Sequence, residues 1–130
     1  MENCLFCKII KGEIGSKTIY EDEYVKVFLD INPTTNGDTL VVPKEHFKDF
    51  REIKDDINTH INHVIKKLYP IYQEKLHCDG LTISHNTDYG QEIKHFHVHF
   101  IPRYTNDEVT HHSNKELLKS LDEICDTLTK

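Results

Sequence analysis

The chain lacks several features that would assign it to a membrane, to secretion or to duplex nucleic acid. It has no apolar run of membrane-spanning length, and its first residues lack the basic start and apolar stretch of a signal peptide. Its 22 Asp and Glu residues outnumber 16 Lys and Arg, giving a net charge of −6. Because duplex binding depends on neutralising phosphates with basic side chains, we expect no nucleic-acid partner. Together these absences favour a cytoplasmic protein with no membrane partner.

The chain also lacks internal repeats, low-complexity segments and any linker rich in Pro, Gly or Ser. Its 130 residues, 37% of them hydrophobic and 29% charged, suit one domain over residues 1–130 with one sizeable core. Four cysteines are present, and disulfides are not the expected use in a cytoplasmic protein. We interpret the isolated Cys78 and Cys125 as small apolar residues.

Hydrophobic periodicity predicts an α+β fold with a mainly antiparallel sheet of five strands. The predicted strands are 18–21, 24–30, 38–42, 81–84 and 94–102. A long helix is predicted from Asp55 or Asp56 through Tyr72, and Pro70 is expected to kink it or end it early. Shorter helices are predicted at 7–11 and at 113–127, the latter within a C-terminal helical segment 113–129. One long helix between strand runs does not fit a doubly wound parallel sheet.

Histidine alternates with apolar residues in the segment 95–104. On a strand, His95, His97 and His99 would share one face, while the residues between them enter the core. Ordinary strand surfaces use Thr, Lys or Glu, so three imidazoles in register indicate a site. Chemistry alone leaves two interpretations: a covalent nucleophile for phosphorus or acyl centres, or a transition-metal site. The polar loop 85–92 before this segment offers amides that can bind phosphate, although a simple hairpin loop is the alternative.

Two cysteines near the start, Cys4 and Cys7, have the spacing of zinc ligands. A structural zinc site needs four ligands, and His46 and His95 are candidates for the other two. Two unrelated cysteines remain the alternative. A thioredoxin-type redox pair would need a βαβ context, which is not predicted here.

Asp30 follows an apolar strand and precedes the turn sequence Asn-Pro. Its carboxylate could hold ribose hydroxyls while neighbouring apolar residues pack on a base. The competing interpretation is an Asp that ends the strand by hydrogen-bonding the turn.

Taken together, these segments resemble the histidine triad (HIT) family in order over residues 4–104. The matching segments are 4–14 (CLFCKIIKGEI), 28–33 (FLDINP), 37–46 (GDTLVVPKEH) and 90–103 (GQEIKHFHVHFIPR). The last segment is the most specific, and the resemblance is greatest to the bacterial Hint-like branch. It implies a nucleotide-binding HIT fold that forms a homodimer by joining two sheets. It also implies hydrolysis or transfer at the α-phosphate of a nucleotide such as a nucleoside phosphoramidate, without an organic cofactor.

The resemblance also assigns roles to individual residues. His97 would be the nucleophile that forms a nucleotidyl-histidine, and His99 would hydrogen-bond the leaving group or phosphate. The other implied nucleotide contacts are Gln91 with phosphate, Asp30 with ribose, Phe28 and Ile31 with the base, and Asn86 at the rim. The implied ligands of a structural zinc are Cys4, Cys7, His46 and His95.

The chain departs from the family pattern at two residues and in one loop. Glu92 stands where many members have Ser or Thr, so it either turns away from phosphate or acts as a protonated acid. Asp38 replaces a common His, and the loop 86–91 is about two residues shorter than usual. Two other functions remain open: a metal-dependent hydrolase using the three imidazoles, and a non-catalytic nucleotide-binding scaffold.

Overall fold

The computed structural model describes residues 3–130. In chain order its elements are α1 (Leu5–Ile10), β1 (Thr18–Glu21), β2 (Val25–Leu29), β3 (Thr39–Pro43), α2 (Asp55–Leu76), β4 (Gly80–Ser84), β5 (Val98–Arg103), a 3-10 turn (Lys115–Leu117) and α3 (Leu121–Thr129). Within this described part, no helix combines the length and the apolar content needed to cross a membrane.

The five strands form one antiparallel sheet in the order β1-β2-β3-β5-β4. The predicted α+β class with a five-stranded antiparallel sheet is therefore confirmed. The central register aligns Phe28 with Leu40, and Leu40 with His99. These three side chains lie in one row across the sheet because strand side chains alternate between faces.

The two faces of the sheet have separate apolar clusters. One face packs on α2, whose buried residues recur at helical spacing; this cluster includes Val25, Val27, Val41, Val98, Phe100, Ile61, Val64, Ile65, Leu68 and Tyr72. The other face packs on α1 through Phe6, Ile9, Phe28, Leu40 and Val42. Each fully buried side chain of this size contributes about 1.5–3 kcal/mol relative to exposure. The second, smaller cluster is the floor of the candidate site.

Pro70 does not end α2, which continues to Leu76. Proline removes one backbone hydrogen bond and crowds the carbonyl four residues earlier. Here both Pro70 and Lys66 are exposed, so the freed carbonyl faces water. Leu68 and Tyr72 on either side are buried and hold the helix against the sheet.

The C-terminal segment differs from the predicted single helix over 113–127. It divides into the 3-10 turn and α3, and the cap of α3 is Ser120, whose hydroxyl accepts from the Glu123 amide. Asn114, not Ser113, caps the 3-10 turn. The apolar residues of the segment lie exposed: Leu117, Leu118, Leu121, Ile124 and Leu128. Their stripe is amphipathic in sequence, but none of these side chains is buried against the rest of residues 3–130.

Strand β5 begins at Val98, four residues later than the predicted start at 94. The preceding backbone is held by the loop after β3, because the Phe96 amide donates to the Phe47 carbonyl at 2.7 Å. Of the three alternating histidines, only His99 therefore lies in the sheet. The expectation that all three share one strand face is wrong.

Candidate active site and metal centre

The three histidines divide between two neighbouring sites. The His95 ring is fully buried beside Cys4, Cys7 and His46. His97 and His99 instead line a cavity on the α1 side of the sheet, with ring centroids 5.0 Å apart. The non-strand backbone at 95–97 produces this division, because strict alternation no longer fixes the side-chain directions.

Cys4, Cys7, His46 and His95 converge with one potential ligand atom each. The Cys4 Sγ and Cys7 Sγ atoms lie 3.3 and 3.5 Å from His95 Nδ1. The His46 Nδ1 atom lies 3.3 Å from Cys7 Sγ and 3.1 Å from His95 Nδ1. Tetrahedral Zn–N and Zn–S bonds of about 2.0–2.3 Å imply ligand separations of roughly 3.3–3.8 Å. The four donors therefore fit a tetrahedral cation with small adjustments.

The tautomer of His95 supports the same conclusion. Its Nε2 atom lies 2.8 Å from the Pro43 carbonyl oxygen, which can only accept, so Nε2 carries the hydrogen. The Nδ1 atom then presents a lone pair to the two cysteines and His46. Burial lowers the pKa of His95 to about 4, which keeps the ring neutral and able to ligate. A backbone carbonyl that orients a ligating imidazole is a common supporting contact in metal sites.

Helix α1 positions the two cysteines. Cys4 is its N-cap, and the Cys4 Sγ accepts from the Cys7 amide at 3.3 Å. Burial, together with the neighbouring Cys4 thiol, raises the pKa of Cys7 to about 11. A cation between the donors would displace that proton and stabilise the thiolate.

The cavity beside this cluster has a volume of about 440 Å³. This is within the usual range for small-molecule sites. One wall is the sheet, a second is α1 and the loop after it, and a third is the loop 86–93. Of the residues singled out from the sequence, the cavity is lined by Phe28, Asp30, Ile31, Asn86, Glu92, His97 and His99.

His97 is oriented by its own backbone and by α1. Its Nδ1 atom lies 2.8 Å from the His95 carbonyl oxygen, so Nδ1 carries the hydrogen and Nε2 keeps a lone pair. The Phe6 ring contacts the His97 ring edge-on, with centroids 4.9 Å apart. Burial lowers the pKa of His97, which favours the neutral, nucleophilic ring.

The apolar and acidic residues of the cavity lie at different depths. Phe28 is buried and forms the floor, whereas Ile31 is 89% exposed and stands at the mouth. Asp30 is half-buried, and its Oδ1 accepts from the Asn32 amide at 2.9 Å. The turn-closing and the ligand-facing interpretations of Asp30 are therefore compatible, since the carboxylate has a second oxygen.

Gln91 lies beside the cavity but does not line it. Its side-chain amide donates to the Lys48 carbonyl at 2.7 Å, and the residue is 5% exposed. Glu92, next along the chain, is exposed and lines the cavity instead. In this structure, Gln91 fastens the loop to the segment after β3 rather than pointing at a ligand.

An ion-pair network holds the same loop, and no local sequence pattern indicates it. Arg51 donates to Asp49 at 2.6 Å and to Asp88 at 3.0 Å. Asp49 is 2% exposed, and Asp88 has a positive φ of 62°. The wall formed by Leu5, Ile9, Ile14, Gly15 and Ser16 was also missed as a binding surface. The amphipathic spacing around α1 could have indicated it.

Asp38 is buried at the edge of this site. It is 3% exposed, its Oδ2 accepts from the Thr34 amide at 2.8 Å, and it approaches Asp30 and His99.

The sequence matches a known protein family. The model of the HIT domain matches residues 11–106, which is most of the chain. The chain therefore belongs to the HIT family.

Two relatives show how far the similarity extends. An uncharacterized HIT-like protein of Methanocaldococcus jannaschii is 49% identical over 106 residues, covering 80% of this chain and 81% of that protein. The adenosine 5'-monophosphoramidase of Saccharomyces cerevisiae is 37% identical over 100 residues, covering 77% of this chain and 62% of that protein.

Solved structures show the same architecture. A HIT family protein from Bacillus anthracis superposes with a TM-score of 0.81 at 36% identity, covering 98% of this chain and 95% of that one. A zinc-bound histidine triad family protein from Mycobacterium smegmatis gives a TM-score of 0.80 at 33% identity, covering 87% of this chain and 84% of that one.

Proposed function

We propose that this protein hydrolyses a nucleoside phosphoramidate, or a related nucleotide, at the α-phosphate through a nucleotidyl-histidine on His97. The observation that carries the proposal is the His97 Nδ1 contact with the His95 carbonyl oxygen, 2.8 Å long. It leaves the Nε2 lone pair free in a ring that lines the cavity. The phosphoramidase activity named for the yeast relative supports the same substrate class.

The reaction has two displacements at phosphorus. First, His97 Nε2 forms a bond to the α-phosphorus while the bond from phosphorus to the leaving nitrogen breaks, and the nitrogen takes one proton from solvent and departs as the amine. Water then attacks the same phosphorus, the bond to Nε2 breaks, and a water proton is released to solvent. The products are a nucleoside monophosphate and an amine. A covalent intermediate divides one difficult displacement into two easier ones.

Other cavity residues are assigned by position and chemistry. We assign His99 to the leaving group or phosphate because its ring lies next to that of His97. Asp30 offers a carboxylate oxygen to ribose hydroxyls, and Phe28 with Ile31 provides apolar surface for the base. Asn86 lies at the rim. Gln91 is proposed to act indirectly, by holding the loop that carries Glu92.

We also propose that Cys4, Cys7, His46 and His95 bind one structural zinc ion. The converging donors and the zinc-bound mycobacterial relative support this assignment. Four protein ligands complete a tetrahedron, so such an ion stabilises the fold and has no open position for substrate.

A homodimer with joined sheets is the third part of the proposal. Strand β4 is a sheet edge and exposes Ile83, whereas the other edge strand, β1, pairs with a register shift between Thr18 and Tyr20. Regular edges invite pairing and bulged edges resist it, so β4 is the better partner for a second copy. The exposed apolar stripe of α3 is further surface for that copy to cover. The cytoplasmic location stays a prediction.

The direct test is to trap the covalent intermediate. Protein mixed rapidly with an adenosine phosphoramidate and quenched in denaturant should gain the mass of one nucleotidyl group, located by peptide mapping on His97. His97→Ala should gain none. Turnover with no adduct, abolished by EDTA, would instead establish a metal-dependent hydrolase; nucleotide binding without turnover would establish a binding module.

A further inference from the structure

A second group of potential metal ligands lies on the sheet, outside the cysteine–histidine cluster. Asp30 and Asp38 face each other across β2 and β3, where the Asp30 amide donates to the Asp38 carbonyl at 3.0 Å. They stand two residues from the aligned pair Phe28 and Leu40, and Leu40 is aligned with His99. Alternation along strands therefore brings the two carboxylates and the His99 ring to one face. One potential ligand atom from each lies within 4.8 Å of the others.

The backbone holds one oxygen of each carboxylate and leaves the other available. Asp38 Oδ2 accepts from the Thr34 amide at 2.8 Å, and Asp30 Oδ1 accepts from the Asn32 amide at 2.9 Å. Asp38 Oδ1 is buried and has no hydrogen-bond partner among residues 3–130. A buried carboxylate oxygen without a partner costs free energy, so this atom indicates a ligand.

The ligand atoms of the three side chains are far enough apart to leave room for a metal ion between them. Within the described chain, no hydrogen bond links any two of them. Octahedral bonds of about 2.1–2.3 Å place two ligands roughly 3.0–4.6 Å apart. The three ligand atoms all lie within 4.8 Å of one another, close enough for one ion to reach all three after local adjustment.

Electrostatics favour a cation at this position. Asp30 and Asp38 lie opposite each other just beyond the paired ends of β2 and β3, and their carboxylates repel each other. Burial, and then the charge of Asp30, raise the pKa of Asp38, while the Thr34 amide and His99 oppose the shift. No Lys or Arg of residues 3–130 forms a salt bridge with either carboxylate. Within residues 3–130 the local compensation therefore comes from the Asn32 and Thr34 amides and the imidazole of His99.

We propose that Asp30, Asp38 and His99 form a second metal site that binds a hard divalent cation such as Mn²⁺ or Mg²⁺. The carboxylate oxygens, which supply two of the three ligands, suit these hard ions better than the softer metals preferred by thiolates. The ion would neutralise two negative charges at the edge of a cavity proposed to receive a nucleotide. The site goes beyond the proposed hydrolysis, in which the displacement on His97 requires no metal. Because Asp30 is shared with the proposed ribose contact, metal and nucleotide binding should be linked.

The test measures Mn²⁺ binding without any nucleotide, so its outcome is independent of the proposed activity. Protein brought to one zinc per chain is titrated with Mn²⁺, and free Mn²⁺ is followed by its electron paramagnetic resonance signal. We expect one Mn²⁺ per chain with a Kd below about 1 mM, within the range of weak protein sites for divalent cations.

Variants identify the ligands. Asp38→Asn keeps an oxygen for the Thr34 amide and should weaken Mn²⁺ binding at least tenfold. Asp30→Asn should weaken Mn²⁺ binding by a similar factor. It provides the test if Asp38→Asn, at a buried position, folds poorly. Glu92→Gln removes a carboxylate from the same cavity but not from the trio, and should change the Kd less than twofold. Wild-type protein that binds no Mn²⁺, or Asp38→Asn and Asp30→Asn proteins that bind as wild type does, would overturn the proposal. So would Mn²⁺ binding that is lost in Cys4→Ser but kept in both aspartate variants.

Discussion

His97 donates its Nδ1 hydrogen to the backbone carbonyl of His95, 2.8 Å away, while the His95 ring faces the cysteine–histidine cluster. One residue thus belongs to the proposed metal centre through its side chain and orients the proposed nucleophile through its main chain. The two sites are separate in chemistry but share a stretch of three residues. Disturbing the metal centre is therefore expected to affect the nucleophile.

The first prediction concerns the nucleophile itself. His97→Ala should abolish hydrolysis, because it removes the Nε2 atom that attacks phosphorus in the proposed reaction. Nucleotide binding should weaken by no more than about tenfold, or 1.4 kcal/mol, since the rest of the cavity remains. Steady-state hydrolysis of an adenosine phosphoramidate and calorimetric binding of adenosine monophosphate measure the two effects. Turnover above a tenth of wild type would show that His97 is not the nucleophile.

The second prediction concerns removal of the metal. Cys4→Ser replaces a thiolate ligand with a hydroxyl, so elemental analysis should fall from about one zinc per chain to near zero. The melting temperature should fall as well, because binding energy at a closed site is folding energy. Turnover should also fall, because loss of the metal would displace His95, whose carbonyl orients His97. Cys125→Ser, at an exposed cysteine outside the cluster, is the matched control and should match wild type in all three measurements. If the unmutated protein contains no zinc and Cys4→Ser is as stable as wild type, the cysteines are only packed residues.

The cysteine and histidine pattern predicted that Cys4, Cys7, His46 and His95 lie together, but it did not predict the division of the three histidines between two sites. The zinc-like spacing of Cys4 and Cys7 and the β-branched residues that favour strand β3 can be read directly from the local sequence. The division of the three histidines does not, because it depends on the Phe96 amide reaching the Phe47 carbonyl, 49 residues away. The side-chain bond from Gln91 to the Lys48 carbonyl is a similar long-range contact. Such bonds decide where a loop side chain points, and no local periodicity encodes them.

The third prediction concerns acid stability. Burial alone would raise the pKa of Asp22, but hydrogen bonds from the His60 ring, the Tyr20 hydroxyl and two backbone amides lower it from 3.8 to about 2. A carboxyl with a lowered pKa stabilises the fold above its unfolded pKa and loses that contribution as pH falls to its folded pKa. Asp22→Asn should therefore be less stable than wild type by about 1–2 kcal/mol at neutral pH.

The stability difference between Asp22→Asn and wild type should disappear between about pH 4 and pH 2, where the wild-type carboxyl takes up its proton. Urea unfolding at a series of pH values measures it. Glu23→Gln, at the exposed neighbouring residue, should show no comparable dependence. A stability difference between Asp22→Asn and wild type that is constant across this range would contradict the linkage.

The fourth prediction concerns assembly through β4. Wild-type protein at micromolar concentration should sediment at about twice 15.3 kDa. Ile83→Lys places a charge on the proposed shared edge and should shift the protein to the monomer. Ile19→Lys is the matched control on the opposite edge, with 45% exposure against 49% for Ile83, and should leave the dimer intact. A monomeric wild type, or equal effects of the two variants, would argue against the joined sheet.

The last prediction concerns Glu92, an exposed carboxylate on the wall of the cavity. An ionised Glu92 near the phosphate would repel an anionic substrate and cannot donate a hydrogen bond to it. Glu92→Ser removes the charge and supplies a hydroxyl donor. We expect kcat/KM for phosphoramidates to rise by roughly three- to thirtyfold, or about 0.6–2 kcal/mol of transition-state stabilisation.

A mechanism in which Glu92 acts as an acid predicts that Glu92→Ser lowers kcat/KM instead of raising it. If Glu92 were a protonated acid that delivers a proton to the leaving group, Glu92→Ser should lower the rate, most strongly for amines that leave poorly. Comparing pH–rate profiles of both proteins over a series of leaving groups separates the two mechanisms. Glu92→Gln separates charge from donor strength, because it removes the charge and supplies an amide in place of a hydroxyl. A gain in both variants indicates repulsion by the carboxylate, whereas a loss in both, growing with the basicity of the leaving amine, would establish Glu92 as the acid.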